Sequence, residues 1–214
     1  MILNGRFVTL RPLGVNDAEI TQKWRTSGRA FLLNRGAQTV EEQREWIASR
    51  PFDPSRELNF VMLLGHRTSL FPTGAVVPDE LRREPLPLGM ISLEDIDLVH
   101  HRAQPAHFLI GEEDAVKGIP VALEAVKLLY ELAFDTLGLH RLFGPMSEEN
   151  TFMLRFHKAL GMKEEGRQRD HYFINGHYQD AILIGMLEDE YRTIAKPRIE
   201  ALIRSMSRGP RSHS

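Results

Sequence analysis

Ala106-His-Phe-Leu-Ile-Gly111, then Lys117-Gly118-Ile119-Pro120 running straight into Val121-Ala-Leu-Glu-Ala-Val-Lys-Leu-Leu-Tyr-Glu-Leu-Ala-Phe134, is the stretch that decides how this chain folds. The short apolar run reads as a strand, the glycine as a turn and the long amphipathic run as a helix starting directly behind it. First-turn amides of a helix have no partners inside it and carry the positive end of its dipole. A strand, glycine loop and helix in this order therefore make a cradle for an anion such as phosphate. Gly118 lets the backbone come close to that anion, and Pro120 stands where its missing N–H costs nothing. Alone, such a loop is equally an ordinary strand-to-helix connection, so the rest of the chain has to decide.

Outward from this centre the elements follow in a regular order. Upstream, Phe7–Pro12 alternates as a half-buried strand, and Asn16 with Glu19 opens a helix through Trp24 and Arg25. Thr39-Val-Glu-Glu42 is a fuller capping box for a helix carrying Trp46 and Ile47, and Leu58–Leu64 is a strand. The segment 65–87, rich in Pro, Gly and Arg, reads as an inserted loop. Leu88–Glu94 and Pro105–Gly111 are the next strands, joined through the polar residues 95–102. The central helix should bury Val121, Val126, Leu129, Ala133 and Phe134 and stop at Gly138. Arg141–Met146 is a strand, and Asn150 caps the helix carrying His157. Arg167–Ile174 and His177–Gly185 flank Asn175-Gly176, the strongest hairpin signal in the chain. Glu188–Met206 reads as a helix broken near Pro197, and 207–214 as a frayed tail.

This order describes an α+β protein, a mixed sheet with a strand–helix–strand centre and a closing hairpin. Its domains are read as 1–187, with 65–87 inserted, followed by a C-terminal helix and tail over 188–214. A net charge of -2 gives no electrostatic footprint for nucleic acid and no basic face for a membrane. The absence of cysteine excludes disulfides, thiolate metal sites and a cysteine nucleophile. No apolar run approaches a membrane span and the start is not a signal peptide, so a cytoplasmic location is expected.

Asn150-Thr-Phe-Met-Leu-Arg-Phe-His157-Lys-Ala-Leu-Gly161-Met162, about forty residues after the glycine loop, carries a resemblance. Here the chain resembles the GNAT superfamily of acetyl-CoA-dependent N-acetyltransferases. It is most similar to the branch of ribosomal-protein N-terminal and nucleotide-amino-sugar acetyltransferases. The likeness runs from roughly residue 5 to 187. Departures fall at Ala115 and Pro120 in the loop and at Met153, His157 and Met162 in the later helix.

The resemblance implies a twisted mixed sheet of about seven strands whose two central strands splay apart to admit acetyl-CoA. It implies backbone contacts to the cofactor from Leu109, Ile110 and Gly111. It also implies a pyrophosphate cradle of Val116, Lys117, Gly118, Ile119, Pro120 and Val121, and a pantetheine contact from Asn150. His157 falls where relatives place a tyrosine that protonates the leaving thiolate, which an imidazole of ordinary pKa, ~6.5, can also do.

For the base that takes the amine proton, the residues themselves offer Glu94, at the end of a strand facing the split, and His107, which alternates with Leu109 and Gly111. His100, His101 and His107 do not make a metal site, because consecutive histidines point to opposite strand faces; no metal is expected. Tyr172 and Tyr178 flank the hairpin near where relatives bind the acceptor. The function implied is direct acetyl transfer from acetyl-CoA to a primary amine, in the first instance of a small molecule such as an amino sugar. For that acceptor Arg82 and Arg83 of the insert can pair a diphosphate. A protein N-terminus is the alternative acceptor, and a CoA-binding sensor without turnover the alternative from another class. The C-terminal helix makes a homodimer contact possible.

Overall fold

A computed structural model describes residues 1–27, 39–50, 52–64 and 85–207. Most of the inserted segment, with Arg82 and Arg83, and the tail beyond Ser207 lie outside the described residues.

Eight strands form one sheet: β1 (Leu3–Asn4), β2 (Val8–Pro12), β3 (Leu58–Leu64), β4 (Pro87–Asp97), β5 (Arg102–Ile110), β6 (Arg141–Ser147), β7 (Lys163–Ile174) and β8 (His177–Leu187). Their order is β1-β2-β3-β4-β5-β6-β8-β7. The strand beyond the expected seven is the two-residue β1. Every neighbouring pair is antiparallel except β5 and β6. A parallel pair needs a crossover, and here it is the central helix α3 (Val121–Glu131), after α1 (Ala18–Arg25) and α2 (Val40–Ala48). Helix α4 (Thr151–Ala159) follows β6, and α5 (Lys196–Ser207) ends the described chain.

The chemistry of each strand fits its place. Leu-Asn-Phe-Val-Met-Leu-Leu of β3 is buried along its whole length, between β2 and β4. At the far edge, β7 exposes Lys163, Glu164, Glu165, Arg167, Arg169 and Asp170, charges that discourage pairing with another chain.

The five apolar positions expected to face inward from the central helix are all buried. Its α-helical part ends at Glu131, however, and Leu132–Thr136 continues as a π turn in which the Leu137 amide bonds Leu132 O at 2.9 Å. Gly138 then takes φ 64°, as a terminating glycine should. In the first turn of α3, buried Glu124 accepts three backbone amides, from Arg6, Phe7 and Val8, at 3.0, 2.5 and 2.8 Å. One carboxylate thus ties the turn between β1 and β2 to the central helix.

Two expected boundaries moved. Asn16 does not cap α1: Val15–Asp17 is a 3-10 turn, and the Asp17 carboxylate accepts the Gly14 amide at 2.9 Å while holding Arg11. An acid reaching back one residue later in the chain competed successfully for the cap. Pro197 does not break the C-terminal helix either. A π turn over Tyr191–Ala195 runs directly into Lys196–Ser207, and the wider turn falls just ahead of the proline, whose ring has no N–H to give. The Thr39–Glu42 capping box, the Asn150 cap and the Asn175-Gly176 hairpin are where expected.

Candidate active site

β5 and β6 pair only at Arg102↔Arg141 and Ala103↔Leu142, and then separate. Each strand carries a proline just beyond the last pair, Pro105 and Pro145, which has no N–H to donate across the gap. A cavity of about 370 Å³ occupies the split. Its walls come from Gln104–Phe108 of β5, Pro145–Ser147 of β6, helices α3 and α4, and the hairpin residues His171–Asn175.

Opposite the prolines the sheet is also irregular. Between the pairs Met90↔Leu109 and Ser92↔Ala106, two residues of β5 face one of β4, a β-bulge. His107 carries that bulge at φ 49°, in the left-handed region that few non-glycine residues adopt. The bulge places its imidazole on the cavity wall with Glu94, the Nδ1 atom 2.5 Å from Glu94 Oε1 and 3.3 Å from Ser92 Oγ. Burial alone would raise the Glu94 carboxyl, but His107 and Arg50 outweigh burial and hold it below the usual carboxylate range. The Trp46 ring meets the His107 ring edge-on at 5.6 Å, and the Arg25 and Arg50 guanidinium groups lie 5.0 and 4.8 Å from the Trp46 centroid.

On the helix side, Asn150 caps α4 through Oδ1, which accepts the Met153 amide at 3.4 Å, and both residues line the cavity. His157, two turns on, is buried against α3 with its Nδ1 3.5 Å from the Tyr130 hydroxyl. Burial lowers its pKa to about 4. The sequence suggests an imidazole of ordinary pKa here; the packed one is neutral at neutral pH and holds an N–H rather than a stored proton.

The loop between β5 and α3 begins with Gly111, whose amide donates to Leu88 O at 2.8 Å. That donor is therefore engaged inside the sheet, and glycine is needed there for space: a Cβ would lie 2.3 Å from the Trp24 ring. Gly118 has φ 78° with nothing within 4 Å of where a Cβ would be, so the chain turns beside open space. The Ile119 and Val121 amides bond Val116 O and Ile119 O within the loop. Among the described residues, the amides of Gly118 and of Ala122 and Leu123 in the first helical turn have no partner and remain for an anion.

The structure thus brings Glu94, His107, Asn150 and His157 to one cavity and sets the glycine loop at the head of α3. Sequence reasoning missed Ser92 and Tyr130 as parts of the site and read Trp46 first as core. Each depends on strand register or helix packing, which spacing does not reveal. His100 and His101 serve the β4–β5 turn, bonding Asp97 at 2.7 Å and Gly138 O at 3.2 Å.

The family model described as an acetyltransferase (GNAT) domain matches residues 8–163. A spermidine N(1)-acetyltransferase of Escherichia coli K12 is 32% identical over 103 residues, 48% of this chain and 54% of that protein, so the chain spans about half the length of that relative. A putative ribosomal N-acetyltransferase of Bacillus subtilis, YdaF, is 26% identical over 189 residues, covering 86% of this chain and 93% of the relative. The crystal structure of a Vibrio cholerae spermidine N-acetyltransferase in complex with CoA and spermine superposes with a TM-score of 0.68 at 20% identity, covering 88% of this chain and all of that one, 100%.

Proposed function

Because the chain belongs to the GNAT acetyltransferase family, we propose that it transfers an acetyl group directly from acetyl-CoA to a primary amine. The observation that carries this reading is the split itself, a cavity opened between two parallel strands with a glycine-turn helix start at one side. The pantetheine arm would enter between β5 and β6 beside Asn150. The pyrophosphate would rest on the amides of Gly118, Ala122 and Leu123, with Lys117 beside them, and the side chains of Leu109, Ile110, Val116, Ile119, Pro120 and Val121 would shape the loop around it.

The amine nitrogen then attacks the thioester carbonyl, a C–N bond forms and the C–S bond breaks. The amine's proton passes to a base at the Glu94–His107 end, and the leaving sulfur takes one from solvent or the site. His157 offers that sulfur a hydrogen bond from a neutral imidazole as charge develops on it. No residue is acetylated on the way, which accords with a chain lacking cysteine.

The acceptor we infer is a small molecule with a single amine, such as an amino sugar. A polyamine brings several positive charges, and among the described lining residues only one carboxylate, Glu94, faces the cavity, already against His107. A second reading, a polypeptide N-terminus, is favoured by Phe173 and Tyr178, exposed at the hairpin beside the cavity, and by exposed Phe152 next to Met153.

Amine-dependent thiol release from acetyl-CoA, run over amino sugars, aminoglycosides, polyamines and N-terminal peptides, tests this. Release with amino sugars and little with spermidine is the expected result. Release with peptides alone supports the second reading, and calorimetric CoA binding without release from any amine would make the protein a sensor.

A further inference from the structure

Resting on the acetyl-transfer reading, we propose that His107 Nε2 is the atom that takes the amine proton, and that Glu94 is a positioning residue which, with Ser92, fixes the imidazole in the tautomer able to do so.

Glu57, 50 residues before His107 in the sequence, sets the order of donors and acceptors that reaches it. Both Glu57 carboxyl oxygens accept from the Arg50 guanidinium, at 2.8 and 2.9 Å. Asn59 must therefore present its NH₂ to Glu57, and Nδ2 is 2.7 Å from Glu57 Oε1. That orientation turns the amide oxygen toward Ser92, whose Oγ lies 2.6 Å from Asn59 Oδ1. An amide oxygen has no proton, so the serine hydroxyl must donate. Its remaining capacity toward His107 Nδ1 is as an acceptor.

Both groups facing Nδ1, Ser92 Oγ at 3.3 Å and Glu94 Oε1 at 2.5 Å, are consequently acceptors. Two bare lone-pair atoms repel at 2.5 Å, and a hydrogen on Nδ1 turns that contact into an attraction for the carboxylate. The Glu94 contact lies outside hydrogen-bond geometry and buried Oε1 has no hydrogen bond among the described residues, so Glu94 acts there as a facing charge, and Ser92 Oγ is the hydrogen-bond acceptor that places the hydrogen on Nδ1. Nδ1 carries the hydrogen, which leaves Nε2 with its lone pair and no hydrogen bond among the described residues.

A carboxylate held below its usual range is a weak acceptor for an amine proton, whereas it stabilises an imidazolium well. The division of labour follows: His107 accepts at Nε2 as the C–N bond forms, Glu94 balances the charge through Nδ1–H, and the imidazolium returns its proton to water after the product leaves. This is the base-plus-orienting-acid arrangement used wherever a histidine must keep one tautomer.

The test uses the whole chain labelled with ¹⁵N-histidine, His107 being assigned by difference with His107→Gln. The wild-type protein should show Nδ1 protonated and Nε2 bare, and Glu94→Gln, whose amide can donate as well as accept, should mix the two forms. His107→Gln should lower kcat/KM for the amine by roughly 100-fold or more, the scale of a lost general base, with CoA affinity nearly unchanged. An Nε2–H tautomer in the wild type, or a His107→Gln enzyme of near-normal kcat/KM, overturns the assignment while leaving acetyl transfer standing. Absence of turnover with every amine removes acetyl transfer, and the base with it, whatever the tautomer.

Discussion

His157 has a direction in pH because it is buried. Its native pKa of about 4 lies below the ordinary 6.5, so the unfolded chain binds a proton more readily than the folded one between those values. Its contribution to stability is complete above pH 6.5 and is lost as pH falls toward 4. From one pKa unit to ~1.4 kcal/mol, the loss at pH 5 is about 2 kcal/mol. Urea unfolding at pH 7 and pH 5 should therefore show a smaller acid-induced drop in His157→Phe than in the wild type; equal drops would place the acid sensitivity elsewhere. His157, Glu94 and His107 could all be nominated from residue type and position. What could not be foreseen was their state, since neutrality of one and tautomer of another come from Tyr130, Ser92 and Asn59, which approach only after the strands are in register.

Two glycines in one connecting element separate packing from function. Gly111 lies against Trp24, and a Cβ would overlap the indole, so Gly111→Ala should destabilise by about 1–3 kcal/mol, the usual cost of overpacking. Gly118 has room for a side chain but a positive φ, so Gly118→Ala should cost about 1 kcal/mol in backbone strain and weaken CoA binding beyond that. Chemical denaturation alongside CoA titration checks both. Loss of CoA affinity in Gly111→Ala alone would reverse the roles. Elements with local signals, such as the Thr39–Glu42 capping box and the Asn-Gly hairpin, were legible because the deciding groups are a few residues apart. The bulge at His107 and the long-range Glu124 cap were not, because each joins segments far apart in the chain.

At the scale of the molecule, the C-terminal segment is part of the core rather than an appendage. Tyr191, Ala195 and Ile199, four residues apart, are fully buried, and Phe134 stacks on Tyr191 at 4.6 Å, joining the two π turns. A chain ending at Leu187 would expose that stripe and should lose cooperative thermal unfolding; a sharp transition retained would show the helix to be dispensable. The overall order of elements followed from local signals and the family likeness from motif residues in that order, whereas the place where β5 leaves β6 lies beside prolines and a bulge that come together only across the sheet. That separation opens the route proposed for CoA, and Ala106 lines it just beyond the last strand pair. Calorimetric titration of CoA into wild-type and Ala106→Phe protein should give one site in the first and at least roughly tenfold weaker binding in the second, more than ~1.4 kcal/mol, with thermal unfolding still cooperative. Equal affinity in the two would mean that CoA does not enter between the strands.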